Sequence, residues 1–399
     1  MRPFFKVLII VYAAIAIGLI GLLIFLIHTG GIRTTNFSIG GNLELVNTQT
    51  ISLEGIEALK IKYSSDDVVV YESDSDELIL KEYMSFTPKK EELTQITKSG
   101  KELRLEGKRD GWNGTVLGFN RSSRMEIYLP AGYKNNIYIS SASGNIESGL
   151  NLEVREFEAS TASGDIEFNE VSGEDITIST ASGDIEFNEV YGENITISSA
   201  SGNLNFKKAE GNRKLSTSSG DIKVYGGSGK TEISSTSGSI YIENSIGDLN
   251  AGTSSGDIKV EGTIGRKDLH STSGEIKLEN SEGYIKAYTS SGDIRITNTN
   301  GAGDFHSTSG QIEVEFSKDI SSITDDINAE SSSGDVIMRI PASLAFEFSA
   351  NTGSGDISFF NDQISYSKNN KKATATVGTD PLIQLTVETT SGEIKIKSK

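Results

Sequence analysis

The sequence predicts an all-β protein: a parallel β-solenoid (β-helix) with two short strands per coil of 18–19 residues, wound right-handed, after one N-terminal transmembrane helix. Three observations carry this expectation. A Ser-Gly dipeptide recurs at nearly constant spacing. The segments between recurrences alternate apolar and polar residues. The N-terminus holds one long uncharged apolar run.

That run extends from Val7 to Ile27, 21 residues without a formal charge. As a helix it would be about 31 Å long, enough to cross a hydrocarbon core of roughly 30 Å. Arg2 and Lys6 precede it, so the positive-inside rule places the N-terminus in the cytoplasm and the remainder outside. A cleaved signal peptide has a shorter apolar stretch and an A-x-A-like site. Here the run leads into His28-Thr29-Gly30-Gly31, which favours a retained span.

The repeating glycines are 144, 164, 183, 202, 220, 238, 256, 274, 292, 310, 334, 355 and 392, and the residue two positions after each is Ile, Leu or Val. A second set, 173, 192, 211, 229, 247, 265, 283 and 301, falls nine residues after a Ser-Gly glycine. Two glycine bends per period leave two short alternating segments, read as strands. Counted from the Ser-Gly glycine, positions −5, −3, +2 and +4 face inward. Position −5 is mostly apolar (Ile178, Leu215, Leu269), −3 is Ser or Thr (Thr217, Thr253, Ser271), +2 is the Ile column, and +4 is Phe, Val, Leu or Ile. Positions −4, +3 and +5 carry polar and charged residues and face outward. Coils of this kind stack at about 4.8 Å.

Each corner reads Ser-Gly followed mostly by Asp or Asn. Glycine accepts positive φ without steric cost, and the Asx side chain can bond nearby backbone as an Asx turn. The inward Ser/Thr hydroxyls are expected to bond one another along their column. Outside, Glu147, Glu167 and Glu186 give way at +3 to Lys223, Lys259, Lys277 and Arg295, beside Glu243, Glu261 and Glu279 at +5. Opposite charges in adjacent columns offset repulsion along each column.

The chain therefore divides into a cytoplasmic stub (1–6), the span (7–27), a linker (28–44), an N-terminal β cap (45–140), the repeat solenoid (141–360) and a C-terminal β cap (361–399). Caps are needed because an unpaired terminal coil invites edge pairing. In the first cap, 59–63, 68–71, 103–105 and 125–129 read as strands, interrupted by a loop at Asp110-Gly111-Trp112-Asn113-Gly114. Leu129-Pro130-Ala131 lies as far before Gly144 as Ile340-Pro341-Ala342 lies before Gly355, so one strand-Pro-strand unit is used at both ends.

The span, the Asp66-Asp67-Val68-Val69-Val70 strand, the Leu129-Pro130 strand and runs such as Thr217-Ser218-Ser219-Gly220-Asp221-Ile222 together resemble the bacterial putative-adhesin domain family of unknown function, which includes LiaG-like membrane proteins. The resemblance covers roughly residues 45–399. It implies a β-helical surface protein, with some members linked to cell-envelope stress systems, and supplies no catalytic residues.

Composition narrows the function. A net charge of −18 argues against nucleic acid as a partner. With no Cys there is no disulfide, thiolate metal site or Cys nucleophile. The three His are His28, His270 and His306. The last two share position −4 two coils apart, about 9.6 Å, too far to ligate one metal. Acidic residues follow the repeat, and no pair breaks the pattern as catalytic carboxylates would. Calcium rolls need an acidic turn twice as often as it occurs here. The expectation is a non-catalytic, membrane-anchored cell-surface protein with no catalytic, cofactor or metal residues and no cofactor. It would act as an adhesin-like scaffold or binding module whose partners are the membrane and envelope proteins or wall glycan. The alternatives are an accessory component of an envelope-stress system and a β-helical carbohydrate-active enzyme.

Overall fold

Alternation builds the strands. Leu249–Thr253 buries Leu249, Ala251 and Thr253, while Asn250 is exposed and Gly252 half-buried. Ile258–Glu261, after the corner, buries Ile258 and Val260. A computed structural model describes residues 42–107, 122–318, 320, 323–360, 364–367 and 369–399. The apolar run 7–27, His28 and the loop 110–114 lie outside the described residues. Among those described, no helix is long and apolar enough to cross a membrane.

Each strand pairs in parallel with its counterpart one coil away, so side chains of one position form a row. Val68, Ile146, Ile166, Ile185, Leu204, Ile222, Ile240, Ile258, Ile276, Ile294, Ile312, Val336, Ile394 and Ile357 are consecutive partners. The strands before the corners form the matching second face. About fifteen rungs at roughly 4.8 Å make a ladder roughly 70 Å long. Its narrow core holds the expected columns, with Phe168, Phe187 and Phe206 stacked at 5.5 and 5.9 Å between ring centroids.

The far side is passed in two ways. In three successive coils the chain crosses it as continuous strand, Ile166–Thr180, Ile185–Ser199 and Leu204–Thr217. The later 18-residue coils turn more tightly. There Gly229, Gly247, Gly265 and Gly283 adopt φ between +99° and +128°, and Asn244, Asn280 and Asn298 adopt 50–57°. Both residue types enter that region at low cost. A third, short ladder follows these turns: Gly227–Ser228 pairs with Ser245–Ile246, and bridges continue through Ile264 to Glu282.

The corners work differently from the sequence expectation in three respects. None of the Ser-Gly glycines has positive φ. Glycine is needed there because the rungs approach too closely: a Cβ on Gly256 would lie 2.1 Å from the Gly238 carbonyl oxygen, and one on Gly274 would lie 1.9 Å from that of Gly256. The inward hydroxyls bond backbone instead of one another. Thr253 Oγ1 donates to the Gly238 carbonyl one rung back (3.0 Å) and accepts from the Gly256 N–H (3.2 Å); Ser271 and Thr289 repeat the arrangement. The Asx side chain reaches forward one rung: Asp257 Oδ1 accepts from the Glu275 N–H (2.8 Å), and Asp165 Oδ1 from the Asp184 N–H (2.8 Å). Each corner is thus tied to both neighbours.

Rung order departs from chain order at both ends. At the N-terminal end the second face runs Glu102–Glu106, Ala58–Lys62, Asn136–Ser140, Glu156–Thr161. At the C-terminal end it runs Ile327–Ser331, Ile383–Thr389, Phe346–Thr352. The two strand-Pro units are the places where the chain skips a rung. From Ser123–Pro130 it passes over the Asp67–Ser73 rung to Asn136–Ser140. From Val336–Ile340 it passes over the C-terminal Ile394–Ser398 rung to Phe346–Thr352. Proline lacks the N–H that would continue the ladder, which suits a strand ending before a jump. Antiparallel strands extend both ends: Gln95–Ser99 on Glu102–Glu106, Leu78–Met84 on Ser123–Pro130 with Glu44–Ile51 outside it, and Lys372–Val377 on Phe346–Thr352.

Candidate binding surface

Because inward positions are filled by the core, chemistry on this fold is carried by the outward columns and by groups that break the inward pattern. The outward charges pair as their columns suggest. Lys259 Nζ lies 3.2 Å from Glu261 and 4.0 Å from Glu279, and Lys277 lies 3.1 Å from Glu279. Arg295 spans Glu275 (2.7 Å) and Asp293 (3.1 Å). Exposed pairs of this kind add little stability each; they offset the repulsion between the like charges stacked along each column.

His270, Tyr288 and His306 form a single stack, with centroids 4.8 and 4.9 Å apart and planes within 1° of parallel. His306 Nδ1 lies 3.4 Å from Glu330. Tyr288 occupies the space between the two imidazoles, so they do not converge on a common point. Among the described residues no group of three or more His, Asp or Glu is placed to hold a metal ion.

The sequence reading missed an inward column at −7. It reads Ile176, Ile195, Arg213, Thr231, Leu249, Lys267, Ile285, Gly303 and Ile327 along consecutive rungs. Two cations are buried in it. Lys267, 0% exposed, donates to the carbonyls of Thr263 (3.0 Å), Gly265 (2.9 Å) and Glu282. Burial pushes its ammonium down to about 8, opposed only by the charge of Glu282. Arg213 donates to the Ala209 carbonyl and to Thr231 Oγ1 (2.7 and 3.1 Å), and burial lowers it to about 10. Both cations bond carbonyl and hydroxyl oxygens on the far-side turns, and neither faces solvent. Their role is to fill and satisfy tight turns. The signal that could have found them is their spacing, one period from Leu249, Ile285 and Ile195.

A family model described as Toastrack DUF4097 matches residues 56–245 and again 230–397. The chain belongs to the Toastrack DUF4097 family. Each Toastrack match takes in one end of the ladder with its out-of-order rung and its strand-Pro unit. Two solved structures are similar to this chain. One is described as a putative cell adhesion protein from Clostridium sporogenes: 12% identity, covering 90% of this chain and 100% of that one, with a TM-score of 0.20. The other is described as a putative adhesin from Bacteroides fragilis: 14% identity, 88% and 96% covered, TM-score 0.19. At these TM-scores neither likeness bears on the fold or the site. No curated protein matches the sequence.

Proposed function

We propose that this Toastrack protein is a non-catalytic, adhesin-like binding module of the cell surface, held to the membrane by the apolar segment 7–27. The observation that carries the reading is the ladder itself. It presents two long outward walls whose charges follow the repeat and pair across columns. A wall of regularly spaced polar side chains is suited to binding an extended partner through many small contacts, such as a wall glycan or the strand edge of another envelope protein. A rigid ladder roughly 70 Å long would carry that wall away from the lipid.

The test is crosslinking in intact cells, with photoreactive groups at outward positions such as Thr196 and Lys277, followed by mass spectrometry. The expected result is capture of wall glycan or an envelope protein at outward positions, and protease sensitivity of the ladder from outside the cell. Turnover of a polysaccharide that disappears on replacing one carboxylate would overturn the non-catalytic part. A ladder inaccessible from outside would overturn the surface part.

A further inference from the structure

Near its N-terminal end the outer wall loses its register. Asp67–Ser73 and Ile146–Glu153 pair as Val68 with Ile146, Val69 with Glu147 and Val70 with Ser148, and the pairing then stops. The next strand shows a register shift at the same level, between Phe168 and Glu170. The ladder therefore opens at a bulge, a feature often found beside binding sites. The opening is a concavity of about 360 Å³ whose lining includes Tyr71, Arg124, Glu147, Gly149, Glu167 and Asn169.

Its walls are those of a site. Tyr71 stacks on Tyr128 at 5.2 Å between centroids, and Lys81 Nζ sits 4.1 Å from the Tyr128 centroid. That end of the stack is covered. On the other side, the position following Ser148 is Gly149. Unlike the corner glycines, Gly149 is not required by the backbone: a Cβ there would meet nothing within 4 Å, and its φ is not in the left-handed region. The missing side chain leaves room one rung from Tyr71, in a column where the stack would otherwise continue. Polar groups converge around it. Arg124 Nη2 donates to the Tyr71 hydroxyl (2.8 Å), and its Nε lies 3.8 Å from the Glu126 carboxylate. Asn169 bonds Asn151 (2.8 Å) and Asn188 (2.7 Å) along the wall.

We propose that this opening is a carbohydrate subsite that takes one pyranose ring of an uncharged glycan, stacked on Tyr71 over Gly149. An aromatic face presents negative π density to the C–H groups of a sugar face. The carboxylates of Glu147 and Glu167 accept from hydroxyls, and the Asn169 amide can both donate and accept. The same carboxylates, on a chain of net charge −18, repel acidic sugars and phosphate-bearing polymers. The proposal rests on the surface-binding reading above and names its ligand class.

The test is calorimetric titration of the full chain with chitotetraose, maltotetraose and tetragalacturonic acid. At least one neutral tetramer should bind and the uronate should not. Tyr71→Ala and Gly149→Leu should each weaken neutral-sugar binding at least tenfold, and Gly149→Leu should leave the circular dichroism spectrum and melting temperature unchanged. Binding of neither neutral tetramer, tighter binding of the uronate, or neutral-sugar binding untouched by Gly149→Leu overturns the subsite. If isolated wall material still binds the chain in any of these cases, the surface-binding reading stands; if it does not, both fall.

Discussion

Two glycines four residues apart make opposite predictions. At Gly256 an added Cβ would lie 2.1 Å from the Gly238 carbonyl oxygen; at Gly252 the nearest contact would be the His270 carbonyl oxygen at 3.8 Å. An ordinary carbon–oxygen contact is about 3.4 Å, so Gly256→Ala must push two rungs apart locally by about 1.3 Å. That displacement takes the Thr253–Gly238 hydrogen bond, 3.0 Å long, beyond bonding reach. Losing it costs about 1 kcal/mol, and overpacking adds about 1–3 kcal/mol. The expected loss is about 2–4 kcal/mol. Gly252→Ala forces nothing apart and restricts the unfolded chain, so it should be neutral or stabilising by up to about 1 kcal/mol. Urea unfolding followed by circular dichroism, compared at matched m-values, measures both. Equal effects, or a Gly256→Ala change under about 1 kcal/mol, would refute the argument that close rung approach selects glycine at the corner.

Three further outcomes are expected. Thr253→Val keeps the shape but orphans the Gly238 carbonyl and the Gly256 N–H, and should cost about 2 kcal/mol in the same unfolding assay. Ser239 stands where most corners have Asx, and it offers no carboxamide oxygen to the next rung; Ser239→Asn should supply that bond and stabilise by about 0.5–1 kcal/mol. Lys267 is held near 8 in the fold against 10.5 unfolded. The unfolded chain therefore binds more protons between those values, and stability should rise as pH increases from about 8 to 10.5. Lys267→Met should remove that rise and stabilise at pH 7 by about 1–3 kcal/mol, since the Thr263 and Glu282 carbonyls keep the N–H groups of Glu282 and Gly265.

The Ile row was legible because burial repeats with the pleat. Ile222, Ile258 and Ile294 share a position relative to their corners, and a one-residue slip would turn them all outward. The corner's physics was misread because the sequence displays a glycine without saying whether conformation or crowding demands it; the distance between rungs decides, and no local pattern encodes it. The −7 column escaped notice because Arg213, Thr231, Lys267 and Gly303 interrupt it with residue types that normally mark a surface. The rung order at the ends was hidden for a different reason. Ile383–Thr389 pairs with Ile327–Ser331 across an intervening segment, and nothing near either strand announces a skipped rung beyond the prolines that precede the jumps. The Tyr71 opening depends on two strands parting after Val70 and Ser148, which a repeat-based reading cannot show in a region without the regular repeat.

Disulfide trapping at the C-terminal end tests the stacked-rung account most directly, because the chain has no cysteine of its own. Asn328 and Thr386 are outward partners on adjacent rungs, as are Thr386 and Ser349. Asn328 and Ser349 are two rungs apart, about 9.6 Å, beyond the reach of a disulfide. Oxidation should close the bridge in N328C/T386C and leave N328C/S349C reduced. Closure in N328C/S349C with none in N328C/T386C would mean that the rungs follow chain order, and would contradict the architecture described here.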